Sequence, residues 1–474
     1  MKAPLGRDLT TGSIPRHMVA FSIPMLVGSF LQTAYSFINA IWVGKFLGTE
    51  ALAAVTVSFP VIFVLFSIGM GLTMATSILV SQNYGAKRMD ELRKVVDSST
   101  VLIYSLGLVL TVLGEWLAPS ILRLMDTPPE IFEESVSYLR VFLLSMPLGF
   151  GLFLTRSLLQ GVGDSKTPLY FQAGSVLFTI ALDPVLMFGW LGLPKLGLNG
   201  TAWATVVAQV LALISLLTYL RMKQAPVAPR LPRLDHLWPT TLKTLRIGVP
   251  AAVQQSLVSI GMVFVTGIVN GFGEVATAAF GAASRIDQIA FMPAMTFGMA
   301  VSTLAGQNLG AGRYDRVQEV FKWGCIFSGG ITLLISAMAV TFPEALLSMF
   351  VSDPAVLAPG VEYLHIVGGT YVLFALIFVS NGVINGAGRT MMTTVFSLVS
   401  LWVVRVPVAY WLSRRMDNVK GVWIAMALSF AVSLAVSMAY YFSGRWQKPL
   451  LKNAPNGPAA PNPGEMFGHE TGEA

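Results

Sequence analysis

The chain has 474 residues, of which 54% are hydrophobic and only 12% charged, with a net charge of +7 and a mean hydropathy of +0.68. A soluble domain carries about 25% charged residues, so this chain lacks the side chains to cover a water-facing surface. That excludes a water-soluble enzyme or a nucleic-acid-binding module and leaves a multi-pass, all-α integral membrane protein.

Residues 1–16 lack the apolar core and cleavage site of a signal peptide and read as a cytoplasmic N-terminus. Twelve apolar runs follow, near 17–44, 57–83, 95–118, 131–161, 167–190, 200–220, 247–271, 276–306, 323–343, 360–386, 391–413 and 421–443. Each matches the roughly 20 apolar residues that a hydrocarbon core of about 30 Å asks of a helix. The runs divide into an N-lobe (17–220) and a C-lobe (247–443), separated by a Pro- and Arg-rich cytoplasmic linker at 221–246. Residues 444–474 are a cytoplasmic tail, Pro/Gly-rich from 453 onward, whose composition predicts disorder.

With the N-terminus inside, the inner segments hold 21 Lys/Arg and the outer loops 6, and Arg140, Arg156, Arg285 and Arg405 lie within spans. A Lys/Arg excess marks the cytoplasmic side, so both ends are expected inside a cell (inner or plasma) membrane. The last outer loop, "RRMDNVK" (414–420), holds half of the exceptions. The single cysteine, Cys325, rules out an intrachain disulfide.

The halves repeat. "SQNYGAKR" (81–88) returns as "GQNLGAGR" (306–313), and "LLQGVGDSKTPLYF" (158–171) as "VINGAGRTMMTTVF" (383–396), both at an offset of 225. "SIP" (22–24) pairs with "GVP" (248–250), and Gly200 with Gly421. Six spans per half is an even number, so both halves enter from the same side. They are expected as parallel repeats around a central cleft, suited to alternating access. The repeated QN phrase ends the second helix of each half, where glycine is expected to stop the helix.

Signatures of catalysis are missing. There is no HExxH or GxSxG, and the four histidines show no metal-ligand spacing. "GVGDSKT" (161–167) lacks the glycine before the lysine and lies between two membrane helices, so it reads as a tight turn and not a phosphate loop. No enzyme activity, cofactor or metal site is expected.

Ionisable groups inside spans are costly and mark functional sites by default. At 1.5 Å per residue, Arg140, Asp183, Arg285, Asp287 and Arg405 fall roughly 10–17 Å from the outer helix ends, with Asn39 near the same layer. Arg156 is nearer the cytoplasmic face and can snorkel to it. Asp183 in "TIALDPVLMFG" precedes Pro184, which weakens the helix ladder. Desolvation there penalises the charged carboxylate, which offers a way to couple proton binding to a helix bend. A fixed ion pair with Arg140 is the alternative. Asp287 has Arg285 and Arg405 as candidate partners in its own half. Pro24 matches Pro250 and Pro184 matches Pro407, which places repeated bends, or hinges, in both halves.

"IPMLVGSFLQTAYSFINAIWVGKFLG" (23–48), "GVGDSKTP" (161–168), "ASRIDQIAFMPAMTFGMAVSTLAGQNLGAGR" (283–313) and "RVP" (405–407) together resemble the multidrug and toxic compound extrusion (MATE) transporters. The resemblance covers nearly all of residues 14–445. It implies two six-helix bundles that export amphipathic, often cationic compounds in exchange for protons or sodium ions. Gln32, Tyr35 and Asp183 match polar positions of that family's N-lobe cavity. The family's first-helix acid falls on Asn39, its fifth-helix asparagine on Thr179, and the glutamate of sodium-coupled members on Gln254 or Gln255. The expectation is therefore a secondary antiporter of amphiphilic small molecules, with Asp183 and then Asp287 as ion-coupling residues and protons favoured over sodium. Gln32, Tyr35, Asn39, Thr179, Arg140, Arg285 and Arg405 are the candidate cavity residues. A flippase for a lipid-linked or anionic metabolite is the alternative. Membrane lipids and the small-molecule substrate are the expected partners, and the sequence sets no oligomeric state.

Overall fold

The computed structural model describes residues 6–230 and 237–447, and every regular element among them is helical. In chain order the first half holds α1 (Ile14–Phe46), α2 (Thr49–Gly85), α3 (Met89–Leu124), α4 (Pro129–Leu143), α5 (Met146–Gly161), α6 (Lys166–Phe188) and α7 (Leu198–Met222). The second half holds α8 (Leu237–Asn270), α9 (Glu274–Gly310), α10 (Tyr314–Thr341), a short α11 (Pro343–Ser348), α12 (Pro354–Ile366), α13 (Tyr371–Gly386), α14 (Thr390–Leu398), α15 (Val406–Met416) and α16 (Lys420–Phe442). Among the described residues, eleven stretches are long and apolar enough to cross a membrane, and the bent pair α4–α5, angled at 43° beside Pro147, makes a twelfth if it is one span. In hydrocarbon every backbone polar group must be satisfied internally, and helices built on such runs do this within themselves.

The repeat is visible in element lengths. Helices α2 and α9 both have 37 residues, and α5 and α13 both have 16. Several helices outrun their apolar spans. Helix α8 starts at Leu237, ten residues ahead of the apolar run at 247, with Pro239 in its first turn, where a missing N–H costs nothing. The expected tail lies almost wholly outside the described residues.

The described residues pack as two units, those within 6–7, 23–80 and 88–252 in the first, and those within 8–22, 81–87 and 253–447 in the second. Helices α1, α2 and α8 thus each contribute to both, and α1 and α8 change unit within three residues of Pro24 and Pro250. In the first unit Val43, Ala51, Ala54, Tyr138, Leu198 and Ala202 form one buried cluster. In the second, Phe280 stacks on Trp423 at 5.6 Å and Phe291 on Phe374 at 3.8 Å.

The repeated QN phrase ends α2 and α9 as expected, with a glycine closing the turn in the second copy and a lysine in the first. The left-handed residues that end the turns are Lys87 (φ 56°) and Gly312 (φ 70°), two positions beyond the glycines at the helix ends. Gly85 and Gly310 instead let two backbones touch. A Cβ on Gly85 would collide with the Gln307 carbonyl oxygen, and a Cβ on Gly310 with the Gln82 carbonyl oxygen. The contact is reciprocal, copy against copy, and all of it lies in the second unit. Gln82 Nε2 also donates to the Gly386 carbonyl at 2.7 Å.

The prolines act unequally. Pro24, Pro60, Pro184, Pro250 and Pro293 lie inside continuous helices. Pro407 follows a seven-residue π-helical segment, Val399–Arg405, that interrupts the span between α14 and α15. The basic outer loop also gains a partial physical account. Arg414 and Arg415 end α15, where cations complement the helix dipole, and lie over the rings of Tyr410 (4.2 Å) and Trp411 (5.2 Å). Lys420 Nζ pairs with Glu362 at 2.7 Å.

Gly310→Val should destabilise the protein by about 1–3 kcal/mol through overpacking. Gly174→Ala, within α6 and with nothing near its missing Cβ, should leave the melting temperature in detergent unchanged or raised. Thermal unfolding of the two variants side by side checks this.

Candidate functional site

In the first unit the polar residues expected of a cavity come from α1 and α6. Tyr35 and Asn39 are one turn apart on α1, and the Asn39 amide donates to the Tyr35 hydroxyl at 3.2 Å. Asp183, on α6 just ahead of Pro184, is fully buried. Neither of its carboxylate oxygens has a hydrogen-bond partner. The Tyr35 hydroxyl is the polar group that interacts with the carboxyl. Thr179, one turn earlier, spends its hydroxyl on the Ser175 carbonyl at 2.8 Å. Gln32 is exposed and accepts a long contact (3.5 Å) from Gln172, whose amide also donates to the Gly28 carbonyl at 3.1 Å.

The alternative of a fixed Arg140–Asp183 pair fails. Arg140 Nε sits 3.7 Å from Glu115 Oε2, and both side chains are about a third to a half exposed. A salt bridge in that setting contributes roughly 0–1 kcal/mol. Asp183 therefore keeps a buried carboxyl with no cation paired to it.

The second unit treats its carboxylate in the opposite way. Asp287, on α9, is buried, and both of its oxygens are occupied. The Tyr371 hydroxyl donates to Oδ1 at 2.6 Å, and the Tyr363 hydroxyl donates to Oδ2. The expected arginine partners are elsewhere. Arg405, last residue of the π segment, donates from Nε to Ser429 Oγ at 2.7 Å, with its guanidinium 4.6 Å from the centre of the Phe430 ring. It acts on Asp287 only through its field. Arg285 is exposed and lies over the Phe350 ring at 5.9 Å. Gln254, where the sodium-coupled glutamate would fall, is tied into a neutral network. Its amide donates to Ser397 Oγ at 2.8 Å, and Thr393 Oγ1 donates to Asn385 Oδ1 at 2.8 Å.

Sequence reasoning missed Tyr138, Thr205 and Gln172 in the first unit and Tyr363 and Tyr371 in the second. Tyr138 is buried beside Tyr35 and Asp183, and Thr205 lies against the Tyr35 hydroxyl. The tyrosines of the second unit carried one usable signal. Two hydroxyls within apolar spans need acceptors, and Asp287 is the carboxylate at comparable depth in that half. Among the described residues no cluster of three His, Cys, Asp or Glu side chains could hold a metal ion.

The MatE family model matches the chain twice, at residues 24–185 and 250–411. The chain belongs to the MatE family. Each match covers one half, so the internal repeat is the family's own unit used twice. The probable multidrug resistance protein YoeA of Bacillus subtilis (strain 168) is 35% identical over 436 residues, covering 90% of this chain and 94% of the relative. YpnP of the same organism, also a probable multidrug resistance protein, is 31% identical over 440 residues, covering 93% and 97%. A solved structure described as the outward-facing conformation of a multidrug resistance MATE family transporter superposes with a TM-score of 0.85 at 24% identity, covering 93% of this chain and 98% of that one. The all-helical fold of this MatE protein is thereby that of the solved MATE transporters.

Each tyrosine hydroxyl on Asp287 joins a buried charge, so losing one leaves an oxygen unsatisfied at a cost of about 1–3 kcal/mol. Tyr363→Phe and Tyr371→Phe should each lower the melting temperature, and the double variant should show non-additivity because the two share one carboxylate. Thermal unfolding of the double-mutant cycle in detergent checks this.

Proposed function

We propose that this MatE protein is a secondary antiporter that exports amphipathic, often cationic compounds in exchange for protons by alternating access, with Asp183 as the coupling residue. The observation that carries the reading is the contrast between Asp183 and Asp287, the carboxyls buried on α6 and α9. Asp287 is held by two phenols and serves as a structural anchor. Asp183 is fully buried with no cation paired to it, and Tyr35 is the side chain that faces it. A group in that position is stabilised by taking up a proton, or by an arriving cation. One carboxyl can therefore answer to both the coupling ion and a cationic substrate, which then compete.

Protons suit the site better than sodium. A sodium site wants several oxygens, including carboxylate. Around Asp183 the first-helix position is an amide, Asn39, whose nitrogen is turned to Tyr35, and the Thr179 hydroxyl is committed to its own helix. The names of YoeA and YpnP support a drug-like cargo. The excess of Lys/Arg in the segments read as inner supports a plasma-membrane protein with both termini in the cytoplasm.

In proteoliposomes carrying an imposed pH or sodium gradient, uptake of a fluorescent organic cation should follow the pH gradient. Asp183→Asn should reduce it to the level of empty liposomes while the protein stays folded by thermal unfolding. Wild-type rates in that variant would remove the coupling role from Asp183. Asn39→Asp adds a second carboxyl beside Tyr35 and should bring in sodium dependence or shift the pH profile of transport. An unaltered ion dependence would place Asn39 off the ion path.

A further inference from the structure

The segment ahead of α1, "DLTTGS" (8–13), has no regular structure, yet Leu9 and Thr10 are buried. Buried backbone groups outside helices need partners, and here those partners come from about 300 positions away. The Leu9 amide donates to Gln307 Oε1 at 3.0 Å, and Asn308 Nδ2 donates to the Leu9 carbonyl at 3.3 Å. Arg316 Nη2 donates to the Gly12 carbonyl at 2.9 Å and reaches the Leu9 carbonyl at 3.4 Å, while its Nε donates to Asn308 Oδ1 at 3.0 Å. The bend is shaped by Gly12 at φ 77° and by Asp8, whose Oδ1 accepts from the Thr10 amide at 2.8 Å. All of these residues belong to the second unit.

Two features set this contact apart from ordinary packing of a loop. Gln307 is the residue whose carbonyl meets Gly85, so the segment is fastened directly onto the reciprocal glycine contact of α2 and α9. The clamp also breaks the repeat. In the first copy of the phrase, the position matching Arg316 is Glu91, which pairs locally with Lys94 at 2.6 Å. The first copy fastens the segment ahead of α8 with a different residue, Arg93, whose Nη1 donates to the Ala228 carbonyl at 3.0 Å. The strap runs straight into α1, whose residues 14–22 pack in the second unit while Ile23–Phe46, bearing Tyr35 and Asn39, pack in the first.

We propose that residues 8–13 are a releasable lock that fastens the start of α1 to the α9–α10 corner, with Arg316 as its clamp, and that the lock opens during each transport cycle. The cycle part rests on the alternating-access reading above. Such a lock holds a state without a permanent bond. The hydrogen bonds from Arg316 are charge-assisted, strong enough to order the strap, yet water can replace every partner when it leaves.

The test uses the full chain with Cys325→Ser, in proteoliposomes, and follows maleimide labelling of Thr10→Cys, a buried position within the strap. At rest, with no gradient or substrate, labelling should be slow. Arg316→Gln should raise it by about tenfold, the factor equivalent to about 1.4 kcal/mol. Arg316→Lys, which keeps the charge but loses the fork, should fall between, and melting temperatures should show all three folded. During uptake of tetraphenylphosphonium driven by a pH gradient, labelling of the Arg316 protein should also rise. Unchanged labelling in Arg316→Gln overturns the clamp. Gradient-driven uptake without any rise in labelling overturns the lock while leaving the antiporter reading intact. No uptake with either a pH or a sodium gradient overturns the antiporter reading, and the cycle role of the lock with it, whatever the resting comparison shows.

Discussion

The close approach of helix backbones at repeated glycines is the contact on which the rest of this protein depends. In a bilayer no hydrophobic gain separates helix from lipid, so association rests on van der Waals packing and interhelical hydrogen bonds, and small residues that admit close contact decide where helices cross. The chain uses the same solution in both copies. Gly161 lies against Val80 and the Ser77 carbonyl, and Gly386, its repeat mate, against the Ser302 carbonyl. Gly200 meets the backbone at Leu186, and Gly421 meets the backbone at Leu412 and Ser413. These pairs fix which helices touch, and the touching helices then carry the polar side chains to their depth.

At that depth the two halves part company chemically. A buried carboxylate is tolerated when its oxygens are satisfied, and Tyr363 and Tyr371 satisfy Asp287 from one neighbouring stretch of chain. The anchor ties α9 to α12 and α13 and places a negative charge in the field of Arg405, at the end of the π segment. Wider helical turns of this kind recur at functional sites because they shift side chains by one position without unfolding the helix. Asp183 has no such support. On the antiport reading, the cost of burying it is what an incoming ion relieves.

Much of this was legible in the sequence, for identifiable reasons. Span number and the repeat follow from apolar run length and from glycine-bearing phrases, which report single-helix and backbone properties. Asp183 stood out because a carboxylate inside an apolar run is conspicuous wherever its neighbours lie. Partners were harder. Tyr363 and Tyr371 lie 76 and 84 positions from Asp287, and two tyrosines in apolar helices look like ordinary aromatic packing. Arg140 looked available to Asp183 by depth alone, but depth says nothing about which way a helix faces, and Glu115 of α3 is its partner. The π segment left no trace in hydropathy, since Val399–Arg405 is apolar apart from Ser400 and its last residue. Gly85 and Gly310 looked like helix stops because glycine fits both that role and a crossing, and only a facing carbonyl separates the two.

The order in which the repeat is kept and lost has its own logic. Backbone contacts are reciprocal, so a change in one copy of a crossing glycine damages both helices, and the matched glycines persist in Gly85 and Gly310, Gly161 and Gly386. Side chains that serve one half alone carry no such constraint. Arg316 stands where the first copy has Glu91, and the buried acids Asp183 on α6 and Asp287 on α9 stand at positions their twins do not share. On the antiport reading this asymmetry is an advantage. Two equivalent titrating carboxyls would oblige the protein to bind two ions per turnover or to idle half-loaded. A symmetric frame with one responsive acid and one fixed acid moves as a pair of similar bodies, yet answers to a single binding event.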